Sequence, residues 1–239
     1  MARRERWKNS ATAAGNLSEL ELTLGEVAGA VGDAEQFVTY ADRSGDAFWK
    51  MGTRTAHADA LHQAGRRAEA ETRFREAEQL QQEMQPAYPL LYSLQGFRYC
   101  DLLLAAPERA AWQTVLGGAS VLASREPQKR LVSSLAPPDL ASTLQSCRAV
   151  SQRAEKTIKI AERNNWLLDI ALDHLTLGRA ALYALILDPS SSIGNRQSAI
   201  ENLEAAVSGL RRAGAQEFIV RGLLTRAWLR YLTGDCTEI

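Results

Sequence analysis

Residues 58–80 of this 239-residue chain, ADALHQAGRRAEAETRFREAEQL, carry the pattern that decides the fold. Small and large apolar side chains recur there on both sides of one glycine. They are Ala58, Leu61, Gly65, Ala70, Phe74 and Ala77. Spacings of three and four residues place side chains on one face of a helix. The stretch therefore predicts two amphipathic helices joined by a turn at Gly65, with small residues where the helices cross.

The same pattern recurs along the chain. Its first half is matched by Leu24–Gly25, Gly96, Leu177–Gly178 and Ala227. Its second half is matched by Ala154, Ile158 and Ala161, and again by Ala199, Leu203 and Ala206. Recurrence at a period of about 20 to 50 residues is typical of stacked helical repeats. We predict an all-α protein with a single repeat domain over residues 1–239. The repeats are expected at roughly 17–45, 47–85, 88–163, 166–212 and 216–239, the last one incomplete.

Local signals predict where helices begin and end. Ser18 followed by Glu21 forms a capping box, which predicts that the first helix of the first repeat begins there. Glycines predict the turns between paired helices. These turns are expected at Gly32–Asp33, Gly65 and Gly234–Asp235.

One long segment breaks the period. Residues 105–140 contain Gly117–Gly118 and Pro137–Pro138, so we predict an insertion in the third helix pair. Insertions of this kind map to loops on one face of a repeat array, and such loops often contribute binding surface.

The motif resembles the tetratricopeptide repeat, whose pattern is W-x2-L-G-x2-Y…A-x3-F…P. Ala58 and Leu61 stand at its Gly and Tyr positions, and Ala70-x3-Phe74 matches its second helix. The Trp and Pro positions are not matched. The resemblance implies a right-handed α-solenoid of about five antiparallel helix pairs.

The repeats also resemble the tetratricopeptide arrays that lie C-terminal to NACHT-type and related STAND signalling ATPases of bacteria. The stretches that carry this resemblance are ATAAGNLSELELTLGEV, HADALHQAGRRAEAETRFREAEQL, YPLLYSLQGFRYCDLLL and NNWLLDIALDHLTLGRAALY. It implies the sensor or scaffold segment of a larger signalling protein. The sequence has no G-x-x-x-x-G-K-[ST], so a phosphate-binding loop of such an ATPase is expected outside this chain.

The resemblance also implies a binding surface. In tetratricopeptide proteins the first helix of each pair lines a concave groove, which binds a protein or peptide. The residues carried onto that groove are Glu26, Asp59, His62, Phe97, Arg179, Trp228 and Tyr231.

Composition argues against other classes of function. Lys and Arg together number 28, equal to Asp and Glu, so the basic surface that nucleic-acid binding requires is missing. The three histidines, His57, His62 and His174, do not stack as paired metal ligands, and no serine lies in G-x-S-x-G. We predict no catalytic residue, no cofactor and no metal.

Compartment and assembly are predicted from the same sequence. Three widely separated cysteines and the lack of an apolar run of membrane-spanning length favour a cytoplasmic protein that does not enter a membrane. The alternatives to a STAND sensor are a free-standing adaptor and a binder of a small ligand or signalling peptide. A homodimer through unpaired terminal helices is a further expectation.

Overall fold

A computed structural model describes residues 2–123, 139–190 and 193–234, and the regular secondary structure in these ranges is entirely helical. The predicted all-α class is confirmed. The described helices are α1 (Ala2–Leu24), α2 (Val27–Ser44), α3 (Ala47–Gln63), α4 (Arg67–Met84), α5 (Ser93–Ala123), α6 (Leu140–Asn164), α7 (Leu167–Leu187), α8 (Ile193–Ala213) and α9 (Gln216–Thr233).

Several successive helices are joined by the same tight turn. After α1, Gly25 adopts φ +82°, the Gly25 N–H donates to the Leu22 carbonyl, and the Glu26 N–H donates to the Glu21 carbonyl. This pair of bonds is the Schellman motif, which satisfies the last carbonyls of a helix and turns the chain back at once. Equivalent turns occur at Gly65, Asn165 and Gly214. The predicted turn at Gly65 is therefore confirmed.

The first helix pair begins earlier than the sequence predicted. Ser18 lies inside α1, where it is buried and its hydroxyl donates to the Ala30 carbonyl at 2.9 Å instead of capping a helix. Gly32 and Asp33 lie inside α2. The turn is at Gly25, which the pattern had placed within a helix. Helices α1 and α2 together run from residue 2 to residue 44, so the prediction that a helix begins at Ser18 was wrong.

The predicted insertion at 105–140 begins inside a helix. Helix α5 continues through Pro107 as far as Ala123, so residues 105–123 are helical. Pro137–Pro138 lie outside the described residues, as does Asp235 after α9.

The chain divides into two compact units: unit 1 is residues 1–102 and unit 2 is residues 103–239. In unit 1, α2 packs against α1 and α3, and α3 packs against α4. The apolar positions of the 58–80 motif are almost fully buried, at 0–1% exposure. Among them, Phe74 stacks on Tyr99 of α5 with ring centroids 4.8 Å apart. The motif therefore forms the core of unit 1.

Helix α7 lies at the centre of unit 2, packed against α6 and α8 and also contacting α9. It is the one described helix that is long and apolar enough to cross a membrane, but 61% of that stretch is buried among neighbouring helices, as in the core helix of a globular protein. Gly178 is a point of close approach to α8. A Cβ built there would lie 2.7 Å from the Leu203 side chain and 3.2 Å from the Leu203 backbone nitrogen.

We expect Gly178→Ala to destabilise the protein by about 1–3 kcal/mol, because the added methyl group overpacks the α7–α8 contact. Urea denaturation followed by circular dichroism measures the effect. Gly32→Ala is the matched control, since Gly32 lies in the middle of α2 with open space around it. Alanine is the better helix former there, so this control is expected to gain up to about 1 kcal/mol. Equal stability of the two variants would show that α7 and α8 do not approach closely at Gly178.

Candidate partner-binding site

The predicted site residues of unit 1 occupy three different environments. Glu26 lies exposed in the turn between α1 and α2. Asp59 and His62 lie one helical turn apart on α3, and both are partly buried. Phe97 on α5 is buried in the core. Only Asp59 and His62 are therefore placed side by side, and Phe97 presents little surface to a partner.

Asp59 belongs to an ion-pair network that joins three helices. Arg98 of α5 contacts Asp59 of α3 at 3.2 Å through Nε, and Glu19 of α1 at 3.1 Å through Nη2. Burial raises the pKa of the Asp59 carboxyl, and the nearby Arg98 charge opposes that rise. Because both carboxylates pair with one guanidinium, the network holds α1, α3 and α5 together. We interpret Asp59 as a structural residue of this ion-pair network.

Arg179 of unit 2 is also used within the fold. It is only 3% exposed, its Nη2 lies 2.9 Å from a carboxylate oxygen of Glu108 on α5, and its Nε donates to the Tyr183 hydroxyl at 3.1 Å. A buried arginine with these partners positions the helices that carry them. Its predicted place in an open groove does not match this burial.

Trp228 lies in a stack of aromatic rings beside this arginine. Its indole lies over that of Trp112 from α5, with centroids 3.9 Å apart and an interplanar angle of 13°. The Tyr183 ring is tilted by 50° to the Trp228 ring, with centroids 5.9 Å apart. The Trp228 Nε1 atom is buried and has no acceptor among the described residues, so ring packing holds this side chain in place.

The stack continues into an exposed surface. Trp112 is 42% exposed, and Leu116, one turn further along α5, is 61% exposed. We call Trp112, Leu116 and Trp228 the tryptophan patch. Rigid aromatic side chains that are half buried and half exposed are the residues most often found at the energetic centre of protein interfaces. Tyr231, the remaining predicted residue, lies on the exposed face of α9 one turn beyond Trp228.

Sequence reasoning found Trp228 but missed Trp112 and Leu116. Both lie in residues 105–140, which were predicted to be an insertion because of their glycines and prolines. The spacing of four residues between Trp112 and Leu116 is a helical signal that could have found them. Pro107 argued against a helix in this segment, because proline inside a helix usually predicts a break.

Unit 2 also has a cleft of about 400 Å³, lined mainly by α6 and α7, with Arg148, Glu155 and Ala181 among its lining residues. Cys147 lines it, but burial raises the pKa of that thiol to about 12, so the sulfur is protonated and a weak nucleophile at neutral pH.

Across the described ranges, no three His, Cys, Asp or Glu side chains converge as metal ligands. No family model matches the sequence, and a search among curated proteins finds no significant match.

Proposed function

We propose that this chain is a non-catalytic module that binds a protein or peptide through the tryptophan patch. The single observation that carries the proposal is the stack of Trp112 on Trp228, which packs two large aromatic rings together while Trp112 stays 42% exposed. A preorganised apolar anchor loses little conformational entropy on binding. The partner chemistry that fits it is an apolar or aromatic side chain presented by a peptide segment.

We further propose that the helix pairs form a tetratricopeptide-like right-handed solenoid. Two features support this. The small residues of the repeat motif are buried in α3, α4, α6, α7 and α8, for example Ala58, Ala154 and Gly178. In addition, α1 contacts α3, and α7 contacts α9, which is the contact between successive first helices that stacked pairs require. About five pairs would result, with α9 as the first helix of the last.

The biological setting we propose is a cytoplasmic one. There the module acts as the sensor or scaffold segment of a STAND-type signalling protein, and a free-standing adaptor is the alternative setting. Both settings use the same surface, so both make the same prediction for the tryptophan patch.

The double variant Trp112→Ala, Leu116→Ser is expected to lose the partner. Leu116 is 61% exposed, whereas Trp112 is 42% exposed and packs on Trp228, so circular dichroism and thermal unfolding check that the variant is still folded. Wild-type and variant chains are immobilised, exposed to a lysate of the source cells, and compared by quantitative mass spectrometry. A protein retained by the wild type is then purified, and its Kd is measured by calorimetry. We expect Kd to rise at least about 30-fold, which corresponds to about 2 kcal/mol for a central anchor.

Phe48→Ala is the control, since Phe48 is an exposed aromatic residue of unit 1, at 63% exposure. It should retain the same partner as the wild type. Retention of the same proteins by the double variant, or of no protein by the wild type, would contradict the proposed site.

A further inference from the structure

The first and last helices each carry an apolar ridge exposed to solvent. On α1 the ridge consists of Ala13, Leu17, Leu20 and Leu24, whose three leucines are at least 46% exposed. On α9 it consists of Val220, Leu224, Ala227 and Tyr231, whose three larger residues are at least 60% exposed. We call these the α1 ridge and the α9 ridge. Both have successive spacings of four, three and four residues, so each forms one continuous stripe along its helix.

Continuous stripes of this kind differ from the single apolar residues found on every protein surface. Contiguous exposed apolar area marks a surface that is covered by a partner. The alternation of four and three residues is the spacing at which the side chains of two helices interlock along a seam. Both ridges are therefore suited to pack against another helix of the same spacing.

The charges beside the two ridges are opposite in sign. Next to the α1 ridge, burial raises the pKa of the Glu21 carboxyl, and the charge of Asp33, a side-chain hydrogen bond with Asp33 and the charge of Glu26 raise it further. The Oε2 atom of Glu21 is buried and has no hydrogen-bond partner in the part of the chain that the structure describes. Over residues 13–24, the part of α1 that carries the ridge, the charged residues are Glu19 and Glu21, so this part of the helix is acidic.

The α9 side has the complementary excess. Arg226 and Arg230 share the single carboxylate of Glu204, at 2.9 and 3.2 Å. Arg221 adds a third guanidinium on the same helix, whereas Glu217 is the only acidic residue of α9. A helix with this charge beside the α1 ridge would bring cations to the acidic cluster, and charge complementarity of this kind sets orientation and partner choice.

We propose that the α9 ridge of one copy of this chain packs on the α1 ridge of a second copy, so that copies associate head to tail. This contact joins two different surfaces and so leaves one free ridge at each end of any open assembly. The contact does not involve Trp112 or Leu116, so it can be tested independently of the proposed partner-binding site.

Two single variants of the full chain test the proposal. Leu20→Lys disables the α1 ridge and Leu224→Lys disables the α9 ridge, and both positions are exposed, so the fold should tolerate them. Sedimentation velocity over a concentration series measures association. We expect the wild type to associate increasingly with concentration and each variant alone to associate at least about tenfold more weakly. Mixed in equal amounts, the two variants should form a heterodimer, because each supplies the ridge that the other lacks.

Other occupants of the ridges give different results, and each overturns the proposal. A symmetric dimer through α9 alone would leave Leu20→Lys dimeric and give no gain on mixing, and a symmetric dimer through α1 would do the converse. A wild-type chain that remains monomeric at about 100 μM, which is about 100-fold above a micromolar Kd, would exclude self-association. Phe48→Lys, which introduces the same charge at an exposed position outside both ridges, should associate as the wild type does, and circular dichroism checks that every variant is folded.

Discussion

Asp173→Asn is expected to remove most of the decrease in the free energy of unfolding that the wild-type chain undergoes as the pH rises from 4 to 8. Asp173 lies on α7, and its Oδ1 accepts a hydrogen bond from the Thr157 hydroxyl of α6 at 2.8 Å. Its Oδ2 is buried with no partner among the described residues. Burial raises the pKa of this carboxyl to about 7, and the nearby charge of Asp169 contributes.

The direction of the pH effect follows from the difference between the pKa of Asp173 in the folded chain and its pKa in the unfolded chain. The folded chain holds the Asp173 proton up to about pH 7, whereas the unfolded chain releases it near the ordinary value of 3.8. Stability from this group is therefore complete below the unfolded value and is lost as pH rises through 7. The limiting slope is about 1.4 kcal/mol per pH unit, and the whole effect is on the order of 4 kcal/mol.

Thermal unfolding of both chains at pH 4, 6 and 8 checks this prediction. Asparagine keeps the acceptor for Thr157 but cannot ionise, so the Tm of the variant should exceed that of the wild type at pH 8 and not at pH 4. His57 acts in the opposite sense, because burial lowers its pKa and acid therefore destabilises unit 1. Since both chains contain His57, the difference between them isolates Asp173. An identical pH profile for the two chains would mean that Asp173 ionises freely in the folded state.

Phe74→Ala is expected to destabilise the chain by about 3–5 kcal/mol, the range for emptying a fully buried aromatic site. Phe74 has no exposed surface and stacks on Tyr99 with nearly parallel rings. The substitution removes that contact and leaves a cavity between α4 and α5. Close packing around the site, with Ala58, Ala70 and Ala77 fully buried, limits how far the helices can collapse into it.

Denaturant unfolding of the two chains under the same conditions gives the free-energy difference. Phe48→Ala removes the same side chain from an exposed position, so it should change stability by less than about 0.5 kcal/mol. A loss below about 1 kcal/mol for Phe74→Ala would place Phe74 outside the core and would remove the packing role of the repeat motif.

The 58–80 motif was predictable because its signals are local. Helical spacing and a glycine determine two amphipathic helices and the turn between them without reference to the rest of the chain. The prediction of the turn in the first helix pair was wrong for the opposite reason, since Gly25 and Gly32 are equivalent as residue types. Only Gly25 is followed by residues that close the Schellman bonds, and Ser18 is committed to a carbonyl of α2.

The candidate site depends on contacts that spacing alone does not reveal. Arg179 was predicted to face a groove, but its carboxylate partner Glu108 lies 71 residues earlier in the chain and draws the guanidinium into the fold. Trp228 was identified as a candidate anchor, whereas its stacking partner Trp112 lies on another helix. The division into two units is likewise a property of the packed chain.

The tight turns restrict how a protein of this kind can change length during evolution. Each Schellman turn uses two backbone hydrogen bonds to fix which faces of the adjoining helices meet. An inserted residue that extended a helix would rotate the following positions by about 100° and move buried side chains into solvent. Insertions and deletions among related sequences should therefore be rare at Gly25, Gly65, Asn165 and Gly214. They should collect in longer connections, such as residues 85–92 between α4 and α5.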